Sequence, residues 1–423
     1  MFVWLKRHSV IPLLAKVCER PQPPALLDSL GGPISIAEIA VFRAARRWRA
    51  LSPCNTPCGM MRVRNGPEPS HMRQMHRQSL TAYGQPLCET VVECPSPRGS
   101  EVLVRIERCG VCHSDLHLQD GYFSLGGDKK LDVSAGRTLP FTLGHEIAGV
   151  IESVGADAEA AIVGRRVAVY PWIGCGICAA CLGGEENLCS NHRHLGIAVD
   201  GGFATHVLVP HQRYLLDYAP LSANFAGPLM CSGLTAYAAL KRHTNRPERG
   251  PVLLIGLGGV GMMGVAITRA LFTTPPIVAD IDAEKRKAAL AAGAAQAYDP
   301  SDPQARKAVM SATGGGLLAI CDFVGSDKSL QFATGLLARG GKVVVTGLLG
   351  GNFSIAAAMF GIKAMTIEGT LTGTLAEARE LLDLARARNI APIPTRNRPL
   401  GEAQAALDDL RASRIVGRTV LTA

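Results

Sequence analysis

Cys175, Cys178, Cys181 and Cys189 form the pattern C-x2-C-x2-C-x7-C. Four thiolates this close in sequence can close a tetrahedron around Zn²⁺ with no open position, which predicts a structural metal site. A second set is dispersed. Cys112 lies in Gly110-Val111-Cys112-His113-Ser114-Asp115-Leu116-His117, His145 in Gly144-His145-Glu146, and Cys231 in Met230-Cys231-Ser232-Gly233-Leu234-Thr235. Taken singly, each has a plain alternative: a buried thiol, or a core histidine bonded to a carbonyl. Taken jointly, two thiolates and an imidazole leave a fourth position for water or substrate, as a catalytic zinc requires. Thirteen cysteines in a long chain without a convincing secretory signal favour metal sites and free thiols over disulfides.

A third signal is a glycine fingerprint. Pro251-Val252-Leu253-Leu254-Ile255 runs into Gly256-Leu257-Gly258-Gly259-Val260-Gly261 and then into a helical pattern. A strand before and a helix after is the context in which such glycines let backbone approach a pyrophosphate at a helix N-terminus. Nineteen residues past Gly261, a second apolar run ends at Asp280, whose carboxylate can accept from both ribose hydroxyls and would repel a 2′-phosphate. That predicts NAD rather than NADP. Lys285, one helical turn on, can add a donor to the ribose.

Elements must hold these groups in place. From about residue 75 the texture is β-rich, with strands predicted at 102–106 and 166–170. Around residue 230 it changes to short apolar runs (252–255, 277–279, 342–346) alternating with helical stretches such as 283–292, the mark of a parallel sheet with crossover helices. Two helical stretches and a final strand at 415–421 follow residue 369. The charge is lopsided: residues 1–74 hold eleven Lys/Arg against four Asp/Glu, and the remaining residues 33 against 31. The main body thus lacks the charge signature of nucleic-acid binding. Residues 1–74, with an arginine cluster and the isolated pair Cys54 and Cys58, read as a dispensable extension, with Met72 or Met75 as an alternative start, before they read as a targeting segment. Charge-free stretches at 218–240 and 343–362 are broken by Gly and polar residues, so buried segments are expected and no membrane span.

From about residue 75 to Ala423, with both cysteine–histidine sets and the fingerprint in order, the chain resembles the zinc-dependent medium-chain alcohol dehydrogenases. The resemblance implies an α/β fold in which a GroES-like β-rich catalytic domain is split around a Rossmann doubly wound parallel-sheet domain. The expected division is 1–74 as extension, 75–230 as the first catalytic part with a structural zinc lobe at 171–195, 231–369 as the NAD-binding domain, and 370–423 as the C-terminal catalytic part. It implies two Zn²⁺ per chain, with Cys112, His145 and Cys231 as catalytic ligands, and NAD as cofactor. Ser114 matches the hydroxyl that bonds the substrate oxygen, and His117 the relay that passes its proton outward by way of the cofactor ribose. Asp115 matches a carboxylate that orients the ligating imidazole. His113 falls where a basic residue faces the pyrophosphate, and Arg418 resembles either a pyrophosphate ligand or a partner for Glu146. Thr235 and Val260 match residues packed on the nicotinamide, while Trp172 and Phe123 are candidate pocket walls.

The implied reaction interconverts a primary or secondary alcohol and its aldehyde or ketone by hydride transfer. A carbonyl reductase of the same family is the nearest alternative, and a non-catalytic zinc and nucleotide-binding protein the more distant one. Cys112 and His145 are separated by 32 residues, more than in the best-known members, and the excess at 120–140 reads as a Gly-rich polar loop bordering the substrate mouth. Cys189 and Cys231 lie only 42 positions apart, which resembles the shorter members and implies a homo-oligomer, tetramer before dimer, in the cytoplasm.

Overall fold

The structure, a computed structural model, describes residues 73–245, 248–388 and 390–423. The basic N-terminal extension, with Cys54 and Cys58, lies outside them. Alternating apolar residues make Val102–Gly110 the spine of a seven-stranded sheet, with Val102, Val104 and Ile106 buried. Glu146–Val154, His206–Val209 and Arg418–Thr422 pair with it, all antiparallel. Register does the positioning: Gly110 stands opposite both Glu146 and Val420. Segments far apart in sequence, ending in Cys112, His145 and Arg418, are thereby gathered at one end of one sheet. Helix Ala223–Pro228 packs on the same strands, so closely that a Cβ on Gly227 would lie 2.6 Å from the Glu146 carbonyl oxygen.

The second sheet is six-stranded and wholly parallel. Its order is Gln296–Tyr298, Ile277–Ala279, Leu253–Ile255, Leu317–Asp322, Leu337–Val345, Thr366–Gly369. Strand order reverses direction beside Leu253–Ile255, and the crevice at the carboxyl ends of a sheet's strands at such a switch point is where nucleotides bind. The chain then returns, through helices Leu375–Ala387 and Ala403–Arg411, to the first sheet with Arg418–Thr422. The architecture is the expected one, a β-rich GroES-like half with a Rossmann-like parallel sheet inserted in it.

The two charge-free stretches are not spans. The first becomes helix Ala223–Pro228, the turn Leu229–Gly233 and helix Leu234–Lys241; the second runs from strand Leu337–Val345 into helix Ala358–Lys363. Among the described residues no helix is long and apolar enough to cross a membrane.

The region expected as a loop at 120–140 is a correction. Tyr122–Gly126 and Lys129–Asp132 pair as an antiparallel hairpin. Its turn lies against the loop after Leu337–Val345: a Cβ on Gly126 would meet Gly351 Cα at 2.6 Å, and one on Gly350 would meet the Ser124 carbonyl oxygen at 2.3 Å. The hairpin therefore bridges the β-rich half and the parallel-sheet half.

Candidate active site

Cys112 immediately precedes helix His113–Asp120. Asp115, in the first turn, accepts from the Cys112 N–H at 2.8 Å and from the Gly144 N–H at 3.2 Å. One buried carboxylate thus ties together the two segments that carry Cys112 and His145. Its Oδ1 also lies 3.4 Å from His145 Nδ1, where it fixes the ring's orientation. Cys231 sits on a single π-helical turn, Leu229–Gly233, a deformation that recurs at functional sites. Ser232 anchors that turn, donating from its N–H to Glu146 Oε1 at 3.2 Å and from its hydroxyl to the Pro228 carbonyl at 2.9 Å.

Ligand atoms of Cys112, His145 and Cys231 all lie within 4.8 Å of one another and are buried. The two sulfurs are 3.9 Å apart. A tetrahedron with Zn–S bonds of about 2.3 Å has an edge of about 3.8 Å, so the donors fit that ion. Both ring nitrogens of His145 are buried without a hydrogen-bond partner, which is costly unless something else satisfies them. The electrostatics agree. Hydrogen bonding from Cys231, outweighing burial, with Arg418 and His145 assisting, holds the Cys112 thiol well below its usual range. Burial opposes a proton on His145, yet the nearby charge of Asp115 outweighs it and raises the imidazole's pKa. The proton shared by the two thiols thus rests on Cys231, whose pKa the bond to Cys112 and burial raise, while the surroundings of Cys112 favour positive charge.

Cys175, Cys178, Cys181 and Cys189 also converge within 4.8 Å, with sulfur separations of 3.5 to 3.9 Å. N–H groups of Ile177 and Cys178 draw the Cys175 thiol down to about 6, ready to ligate as thiolate. Four sulfurs at tetrahedral spacing leave no open position, so this second centre is structural.

At the parallel sheet, Gly256 has φ +88°, and a Cβ on it would strike Val324 at 2.6 Å. A Cβ on Gly261 would fall 1.8 Å from the Gly256 carbonyl oxygen, so both positions demand glycine. Gly258 caps helix Gly259–Leu271, and nothing lies within 4 Å of where its Cβ would point. Asp280 follows strand Ile277–Ala279. One of its oxygens accepts from the Leu257 N–H at 2.6 Å, which pins the fingerprint's turn, and the other accepts from Asp282 N–H at 2.8 Å. Lys285 Nζ lies 3.7 Å from Asp282. Val260 stands in the first turn of Gly259–Leu271, and Thr235, buried, in the first turn of Leu234–Lys241.

Arg418 joins the two regions. Its guanidinium is buried in a two-pronged ion pair with Glu146, with Nε donating to Oε2 at 2.9 Å and Nη2 donating to Oε1. A Cβ on Gly259 would come within 2.4 Å of its Nη1, so the third glycine makes room for this arginine. Desolvation lowers the His113 pKa, and repulsion from Arg418, His117 and Lys285 adds to it against the pull of Cys112. His113, uncharged near neutral pH, and the cations Lys285 and Arg418 thus share one neighbourhood. Ser114 Oγ is 3.9 Å from Cys112 Sγ, and the His117 ring is 4.6 Å from Phe123 on the hairpin.

Residues 98–219 match the alcohol dehydrogenase GroES-like domain, and residues 259–387 match the zinc-binding dehydrogenase domain. An NAD-dependent alcohol dehydrogenase of Sulfurisphaera tokodaii is 38% identical over 348 residues, covering 82% of this chain and 99% of that one. The chain belongs to the zinc-dependent medium-chain alcohol dehydrogenase family. The alcohol dehydrogenase of the archaeon Aeropyrum pernix superposes with a TM-score of 0.74 at 31% identity, over 82% of this chain and all of that one. D-arabinose dehydrogenase from Sulfolobus solfataricus superposes at 0.71 with 27% identity, over 83% of this chain and all of that one. Zinc and NAD are the cofactors of this member, and the two cysteine-rich donor sets described above fit zinc.

Three features were not read from the sequence. The π-helical turn under Cys231 has no local signature beyond Pro228 and Gly233 flanking the thiol. Trp172 was expected only as a wall; it sits beside the metal centre, its ring 5.5 Å from that of His145 and its Nε1–H donating to the Met230 carbonyl at 2.9 Å. Behind it, His194 and His192 stack at 4.0 Å, a pair that their spacing alone does not announce.

Proposed function

We infer that this oxidoreductase interconverts a primary or secondary alcohol and its aldehyde or ketone, with NAD as the hydride carrier. The observation that carries this reading is the convergence of Cys112, His145 and Cys231 on one buried point, with Arg418 spanning from Glu146 beside it to the glycine fingerprint. When bound, zinc supplies a Lewis acid that makes an alcohol oxygen acidic, and NAD supplies the acceptor for the hydride.

The chain's own residues do the rest. Cys112, His145 and Cys231 would hold the ion, and Asp115 keeps the imidazole aligned. Ser114 would take the hydroxyl proton of the substrate while releasing its own, and His117 would accept the released proton and hand it outward to solvent. Burial, then repulsion from Arg411, lowers the His117 pKa against the pull of Asp120 and Cys112, so near neutral pH the ring is unprotonated and can accept. Gly256, Gly258, Gly259 and Gly261 let the pyrophosphate approach, with Arg418 offering positive charge and the neutral His113 ring a hydrogen-bond donor. Asp280 and Lys285 bind the ribose, and Thr235 and Val260 set the face of the nicotinamide. The division into an extension at 1–74, catalytic parts at 75–230 and 370–423 and an NAD-binding part at 231–369 accommodates these roles.

Strand Thr366–Gly369 is an edge of the parallel sheet, with Ile362 and Leu371 exposed beside it, which supports assembly with further copies of the chain, tetramer before dimer. Among the described residues the ten cysteines form no disulfide, and six of them converge as metal ligands, which supports a reducing compartment, the cytoplasm.

Two substitutions test the assignment. Cys112→Ala should release one of two zinc ions and abolish turnover while NADH still binds, as read by metal analysis and fluorescence titration; sustained turnover would refute the ligand set. Asp280→Ala should weaken NAD about tenfold and narrow the preference over NADP. An unchanged NAD-to-NADP ratio of kcat/KM would remove Asp280 from the ribose site.

A further inference from the structure

Three buried nitrogen atoms on one side of the metal centre have no hydrogen-bond partner: His194 Nε2, His192 Nδ1 and Arg137 Nη1. They form one array. The His194 ring meets Trp172 edge-on at 5.3 Å, His192 stacks on His194, and the charge of Arg137 reaches His192. Trp172 in turn lies against His145, so the array runs from the metal wall to the partly exposed loop that carries Arg137. The donor and acceptor roles follow from the bonds that are made. His194 gives its other ring nitrogen to the Glu186 carbonyl, which leaves Nε2 as a bare acceptor, and burial holds its pKa near about 3, so it stays one. Arg137 Nε donates to the Ile197 carbonyl at 2.5 Å, which leaves Nη1 as a spare donor.

An orphaned buried polar atom costs about 1–3 kcal/mol, so such a cluster persists where a ligand or ordered water completes it. An alkyl chain would complete none of the three. A carboxylate could accept from Arg137 but would set its lone pairs against that of His194. A hydroxyl can both donate and accept. We propose that His194, His192 and Arg137 form a distal subsite of the substrate pocket, and that the preferred substrates are alcohols carrying a further hydroxyl group rather than simple alkanols. This inference rests on the alcohol dehydrogenase reading for where the first hydroxyl sits.

The test compares 1,4-butanediol, 1,5-pentanediol and 1,6-hexanediol with 1-butanol, 1-pentanol and 1-hexanol on the zinc-loaded full chain. Both kcat/KM with NAD and calorimetric Kd in the presence of NADH are measured. At one chain length or more the diol should be favoured by about tenfold or more in both readouts, because the analogue lacking the hydroxyl leaves buried polar groups unpaired. His194→Phe, which keeps the ring and removes the acceptor, should collapse that ratio towards one; Arg137→Met serves where His194→Phe fails to fold. A ratio near one in the parent protein at every length, as water alone at these atoms would give, overturns the proposal. So does a preference undiminished in both variants. Diol preference in binding without turnover would sustain the subsite and sink the dehydrogenase reading. Turnover without preference would do the reverse.

Discussion

Asp115 and His117 show how one short helix serves two kinds of chemistry. Asp115 faces inward, receiving Cys112 N–H and Gly144 N–H and steadying His145. His117, two residues later and so on another side of the helix, faces Phe123, partly buried, with its pKa below the ordinary value. A base whose pKa lies below 6.5 remains unprotonated through neutrality and loses its proton-accepting form only as pH falls through that lowered value. His117→Ala should therefore slow alcohol oxidation by about tenfold or more between about pH 6 and 7. The deficit should narrow in alkaline buffer, where hydroxide takes the proton directly. Steady-state kcat profiles of the two proteins check this, and a deficit constant with pH would remove His117 from the proton path. The metal ligands were legible in sequence because tight cysteine spacing has few other uses and the dispersed set keeps its motif neighbours. His192 and His194 were not, since their significance lies in what fails to bond them in three dimensions.

At the scale of elements, the hairpin departs most from what the sequence suggests. Residues 120–140 carry four glycines and several charges, so the alternation of two short strands is faint. What makes the hairpin matter is its turn, where Gly126 faces Gly351 and Gly350 faces Ser124 across the gap between the two halves. Gly126 and its neighbour Gly127 both have positive φ, at +96° and +57°, but nothing lies within 4 Å of the Cβ position of Gly127. Gly127→Ala thus imposes local strain alone, while Gly126→Ala adds a clash with the opposite half. The clash should lift the hairpin and speed NADH release several-fold, as followed by stopped-flow fluorescence, with Gly127→Ala near the parent rate. Equal rates for the two variants would show that the hairpin does not restrain the cleft. The parallel sheet was easier to read, yet Gln296–Tyr298, Leu317–Asp322 and Thr366–Gly369 were not singled out. Gln296–Tyr298 and Thr366–Gly369 are edge strands too short and too polar to present an apolar run, and Leu317–Asp322 adjoins glycines that blur its start.

Across the whole molecule, the two halves are joined at their chemical centre by Arg418, which no local pattern marks as a junction because its partners are 159 and 272 positions away. Glu146 is fully buried, and burial raises its pKa even though Arg418 pulls it down. Arg418→Met would leave that carboxylate without its counter-charge, a loss that costs about 3–5 kcal/mol in buried pairs. The pH dependence then has a definite sign. Without Arg418 the folded-state pKa of Glu146 rises further above the ordinary 4.5 of the unfolded chain. A folded state that takes up its proton at higher pH than the unfolded state gains stability as pH falls through that interval. The stability gap between Arg418→Met and the parent should therefore be widest above neutrality and shrink as pH is lowered towards 5, as measured by denaturant titration of both proteins at matched zinc. Adding Glu146→Gln should close most of the gap at high pH, since the uncompensated charge is gone, yet NADH affinity should stay weak because the positive group beside Gly259 is still missing. Recovery of both properties in the double variant would mean that Arg418 serves Glu146 alone. Recovery of stability without affinity would mean that one guanidinium supports the metal wall and the nucleotide loop together.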